Sequence, residues 1–127
     1  MKYLCLIYSD EKLFEAMPSA EWEALVGEHV DYDEELRRSG HFIASEALQA
    51  VQTATVIRVR NGRLATTDGP YAETKEQLGG FYLIEARDLN EAIQVASRIP
   101  SARLGGIEVR PIMELEHPGS RTTIQGG

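Results

Sequence analysis

Residues 2–9 are apolar at nearly every position, with Tyr3, Cys5 and Ile7 on one alternating set and Leu4, Leu6 and Tyr8 on the other. A half-exposed strand alternates apolar with polar, so Lys2–Ser9 is expected to be a strand covered on both faces. The period then changes. Trp22, Leu25, Val26 and Leu36 recur at helical spacing and form the expected buried stripe of a helix that starts at Pro18-Ser19. Ser19 is its predicted N-cap, with Glu21 and Glu23 facing the positive end of the dipole. Arg37, Arg38 and then Gly40 suit its C-terminus.

Phe42–Val51 reads as a second, weaker strand. Thr53–Arg60 is rich in Val, Ile and Thr, and Asn61-Gly62 is a type I′ hairpin signal leading into Arg63–Thr67. Gly79 and Gly80 open Phe81–Ala86, another run apolar on both faces. Asp88 and Glu91 form a capping box ahead of a helix whose apolar side is Leu89, Ala92, Ile93, Ala96 and Ile99, stopping at Pro100. Ile107–Leu115 is the last expected strand. Residues 117–127, rich in Gly, Ser and Thr, are expected to form a flexible tail beyond a single domain spanning 1–116.

The order is β-α-β-hairpin-β-α-β, an α+β chain with an antiparallel-type sheet and two helices on one face. Two helices cannot cover both faces of four or five strands. The second apolar face of Lys2–Ser9 and Phe81–Ala86 therefore calls for a mate chain in a homodimer, or else an open ligand groove.

Length and charge narrow the class. A chain of 127 residues suits one domain with a real core. No apolar run approaches the roughly 20 residues of a membrane span, and the apolar start is too short for a signal peptide, so a cytoplasmic protein is expected. Net charge is −7, concentrated in the first forty residues, where ten carboxylates face four cations. An acidic first helix and no basic stripe argue against nucleic-acid binding. The lone Cys5 among apolar neighbours is expected to be a buried, inert thiol.

His29 and Asp33 interrupt the apolar stripe of the first helix, four residues apart and on one face. An imidazole oriented by a carboxylate is a general base or a proton relay, although a satisfied core histidine fits the same pattern. Asp68 belongs to a turn motif and is either a turn closer or an acid. Glu73, Lys75 and Glu76 follow it as a solvated cluster, or as groups holding an anionic substrate if the loop folds over a cleft. Tyr8, Tyr71 and Tyr82 are core residues or pocket-lining hydroxyls. Arg110, on an otherwise apolar strand, needs a carboxylate or an anionic ligand as partner. The chain has no phosphate-gripping loop, dinucleotide fingerprint, nucleophile elbow or metal-spaced His pair, so no cofactor and no metal are expected.

The segment from Ala65 to Glu85, with Asp68-Gly69-Pro70-Tyr71, Glu73, Lys75, Glu76 and Gly79-Gly80, resembles the signature of the DGPF, or YCII-related, family, with Tyr71 where the family name has Phe. The resemblance runs from the first strand to Val109-Arg110-Pro111. It implies a ferredoxin-like βαββαβ domain with an added β-hairpin that pairs into a dimeric α/β barrel. Related proteins are thought to use a His in the first helix with an Asp just before its closing glycine. His29 matches in register, but Arg38 and Ser39 occupy the Asp position, so either Asp33 substitutes from within the helix or the dyad is absent.

The expected function is small-molecule binding between the first helix, the sheet and the Asp68–Glu76 loop. Any catalysis there would be cofactor-free acid/base chemistry of isomerase or lyase type on a small polar or carboxylated substrate. His29 would be the base, Asp33 its orienter, and Asp68 and Lys75 would act on the substrate. Many family members lie beside extracytoplasmic-function sigma factors. The alternative that this implies is a non-enzymatic regulatory module with a sigma-factor partner.

Overall fold

The computed structural model describes residues 1–118 and the backbone of 123–125. Four strands form the central sheet: β1 (Lys2–Ser9), β2 (Phe42–Ala47), β5 (Gln77–Glu85) and β6 (Gly105–Pro111), in the order β2-β5-β1-β6. Every neighbouring pair is antiparallel. With α2 (Ser19–Ser39) joining β1 to β2 and α3 (Leu89–Ser97) joining β5 to β6, this is a ferredoxin-like α+β fold.

The alternation of β1 decides what goes inside. Tyr3, Cys5 and Ile7 lie under the helices with Tyr82 and Ile84 of β5, against Tyr32 and Leu36 of α2 and Ala92, Val95 and Ala96 of α3. The Tyr32 hydroxyl donates to the Val95 carbonyl at 2.6 Å, so the one polar atom that α2 buries there is satisfied. Cys5 is fully buried, and burial pushes its thiol up to about 11. Leu4, Leu6 and Tyr8 of β1 and Phe81 of β5 occupy the opposite face and stay half-buried.

Local chemistry explains most element boundaries. Gly40 takes φ 81 and closes α2. The α2 N-cap is Pro18 rather than Ser19; Ser19 is the first helical residue and makes no capping bond. A short α1 (Glu11–Glu15) precedes it, capped by Asp10, which accepts from the Lys12 N–H at 3.0 Å. At α3 the Asp88 carboxylate accepts from the Glu91 N–H at 2.9 Å, while Glu91 reaches back to the Arg87 N–H at 3.1 Å. That helix ends at Ser97, and Pro100 opens a separate 3₁₀ turn to Leu104.

β2 stops at Ala47, four residues short of Val51, because the chain is drawn off the sheet: the Val51 N–H donates to the Glu11 carboxylate at 2.8 Å. β5 starts earlier than its apolar core, at Gln77, and runs through both glycines. Gly80 is required there, since a Cβ would lie 2.7 Å from the Glu46 carbonyl oxygen of β2.

β3 (Thr55–Arg60) and β4 (Arg63–Asp68) form a separate two-stranded hairpin, turned by Asn61 at φ 53 and Gly62 at φ 73. Asp68-Gly69-Pro70 closes its base, where the Gly69 N–H donates to the Ala54 carbonyl at 2.8 Å. Beyond β6, the short β7 (Glu114–Glu116) pairs with β8 (Thr123–Gln125). The rest of the expected tail past Pro118 lies outside the described residues. Among the described residues no helix is long and apolar enough to cross a membrane.

Candidate functional site

α2 carries two different faces toward the sheet. Leu25, Tyr32 and Leu36 are buried, as a core stripe should be. Trp22 and Val26, expected in the same stripe, are exposed, Trp22 by 49%. They face a cavity of about 550 Å³ bounded by α1, α2, the end of β2 and the start of β5. Phe14 of α1 meets Trp22 edge-on, with centroids 6.0 Å apart, and together with Leu25 and Val26 they make the walls mainly apolar.

Five polar side chains of this cavity form a single chain of hydrogen bonds. His29 Nε2 lies 2.7 Å from Ser101 Oγ, and Nδ1 lies 3.0 Å from the Tyr82 hydroxyl. Tyr82 in turn donates to Asp33 Oδ1 at 2.5 Å, and the Ser45 hydroxyl donates to Asp33 Oδ2 at 3.2 Å. All five side chains line the cavity. Residues from α2, β2, β5 and the turn after α3 are thus brought to one point.

Proton inventory fixes the direction of the chain. An ionised carboxylate only accepts, so the single Tyr82 proton goes to Asp33. The Tyr82 oxygen then accepts from Nδ1–H, and a neutral imidazole has one N–H, which leaves Nε2 as a lone pair. Ser101 must therefore donate to Nε2. Burial lowers the pKa of His29 most, with Arg103 adding to it, against the opposing pull of Asp33 and Glu28. Burial first, then the bond to Asp33, raises the Tyr82 hydroxyl well above its usual range. At neutral pH the ring is a free base and Tyr82 keeps its proton.

The expected direct pair of His29 and Asp33 is therefore bridged by the Tyr82 hydroxyl. The other candidates lie elsewhere. Asp68, Tyr71, Glu73 and Lys75 are exposed and line no part of the cavity. Tyr71 sits under the Arg58 guanidinium, 5.1 Å from the ring centroid. The loop is fastened locally, with Gln77 Nε2 donating to the Ala72 and Thr74 carbonyls. Tyr8 is on the opposite sheet face, and Arg110 is exposed on β6, 3.7 Å from Glu108. Ser45 and Ser101 were not anticipated; an isolated serine carries no sequence signal, and Ser101 meets His29 across 72 positions. Among the described residues no three His, Cys, Asp or Glu side chains cluster as metal ligands.

Against known proteins, the YCII-related domain model matches residues 1–116. An uncharacterized protein of Rhizobium meliloti (strain 1021) is 35% identical over 121 residues, which is 94% of this chain and 97% of that protein.

Proposed function

The chain belongs to the YCII-related family, and on that premise we propose that it binds a small molecule in the cavity beside α2 and moves a proton on it without a cofactor. The observation that carries this reading is the chain from Ser101 through His29 and Tyr82 to Asp33, with a free-base imidazole lining the cavity. A proton arriving at Nε2 makes an imidazolium whose Nδ1–H points, through Tyr82, at a carboxylate. That stabilises the charged ring where it forms. The reaction class is isomerisation or elimination of the kind that begins with proton abstraction next to a carbonyl.

Among the described residues, the charged ones around the cavity are Glu11, Glu15, Asp33 and Glu46, with no Lys or Arg among them. Of the two substrate types expected, this favours a neutral polar one with an apolar body over a carboxylated one. A second copy of the chain is proposed to cover the half-buried face of Leu4, Leu6, Tyr8 and Phe81, leaving the cavity on the far side of the sheet.

The test is deuterium exchange. A panel of small ketones and aldehydes in D₂O is followed by proton NMR with the wild type and with His29→Gln. The wild type should accelerate C–H exchange in at least one of them about a hundredfold over the variant. Trp22, the chain's one tryptophan, stands on the cavity wall and reports binding by its fluorescence. No acceleration by the wild type, or equal acceleration by the variant, would overturn the reading.

A further inference from the structure

In this arrangement both ring nitrogens of His29 are occupied, Nδ1 by Tyr82 and Nε2 by Ser101. Ser101 is only 7% exposed, yet it lines the cavity. Its hydroxyl proton is the one aimed at the imidazole lone pair, so its oxygen is the atom that gains electron density when the base acts. The sequence of roles is hydroxyl, base, orienting acid, with Tyr82 inserted between the ring and Asp33. Those are the relations by which an activated serine is recognised on any fold.

We infer that Ser101 is a nucleophile, activated by His29, that accepts the acyl group of a small neutral ester or thioester held in this cavity. The inference rests on the cavity being a reaction site. In the first step Ser101 Oγ bonds to the carbonyl carbon while Nε2 takes the hydroxyl proton, and the carbonyl π pair moves onto its oxygen. Collapse of that adduct expels the alkoxide or thiolate, which takes the proton from Nε2. Water then attacks the acyl-serine, again giving a proton to Nε2, and a carboxylic acid leaves as Ser101 recovers its own. Leu25, Val26 and Trp22 suit the apolar part of the acyl group. The acid product ionises beside Asp33 and Glu46, which repel it and favour its release.

The experiment treats the intact chain with an alkyl fluorophosphonate and, separately, with 4-nitrophenyl butyrate, and reads adducts by mass spectrometry. One adduct on Ser101 is expected in the wild type, none in Ser101→Ala, and labelling about a hundredfold slower in His29→Gln. No adduct, or one on another residue, overturns the inference. Ser101→Cys guards against misfolding of the alanine variant. Its thiol should react with iodoacetamide at neutral pH at least tenfold faster than in the double variant with His29→Gln, and equal rates overturn the inference. Cys5, the chain's other thiol in that variant, is fully buried and does not compete. Deuterium exchange that depends on His29, combined with no Ser101 adduct, removes the nucleophile while leaving the proton-transfer reading in place.

Discussion

Tyr82→Phe removes one oxygen and nothing else, and that oxygen holds the site together. It donates to Asp33 at 2.5 Å and accepts from His29 at 3.0 Å. The first bond involves a charge, and such bonds contribute about 1.5–3 kcal/mol; the second, between neutral groups, contributes about 1 kcal/mol. Asp33 is only half-buried and borders the cavity, so water replaces part of what is lost. A net loss of about 2 kcal/mol is expected, or about 6–10 °C in Tm for a chain of this length. Calorimetry and urea unfolding measure it. The ring itself gives the sharper readout. Nitrogen-15 spectra of wild-type His29 should show Nδ1 protonated and Nε2 bare near neutral pH, while the variant, freed from Tyr82, should populate both tautomers. A wild-type ring carrying its proton on Nε2 would refute the reasoning. Ser101 would then be an acceptor, and neither base nor nucleophile would be poised.

Three other expectations concern pH, packing and reactivity. Because folding lowers the pKa of His29, the unfolded chain binds the proton more readily; its stabilising effect is complete above the ordinary value of 6.5 and is lost as pH falls from there through the folded value. The stability of the wild type minus that of His29→Gln, from urea titrations, should slope downward below that pH by at most about 1.4 kcal/mol per unit, and a flat difference contradicts it. Gly80→Ala would press a methyl against the Glu46 carbonyl and should cost about 1–3 kcal/mol, with exchange protection lost first where β2 meets β5. Cys5, with its thiol pushed up to about 11, should resist a disulfide reagent in the native protein and react at once in denaturant.

Much of the architecture was legible because its causes are local. Asn61-Gly62 turns a hairpin, Gly40 ends a helix and Asp88 with Glu91 starts one, whatever lies elsewhere in the chain. The double-sided apolar pattern of Lys2–Ser9 marked that run as a strand, and the sheet order sets it between β5 and β6. His29 and Asp33 could be put on one helix face from their four-residue spacing. What spacing could not supply was the atom between them. Tyr82 looked like a core aromatic or a lining hydroxyl, and only the pairing of β5 with β1 and β2 puts its oxygen within reach of both partners.

Tertiary structure also decided which candidates share a space. Asp68-Gly69-Pro70 is rich in chemistry as a string, yet it closes the base of a hairpin outside the cavity, because the β3–β4 register draws it there. Trp22 and Val26 keep helical spacing but face a hollow, bounded by α1, α2, the end of β2 and the start of β5. Ser101 had nothing in its neighbourhood to mark it. Residues near in sequence are tied by backbone geometry, which a pattern records. Groups as distant as Ser101 and His29 meet only once the sheet and helices have packed.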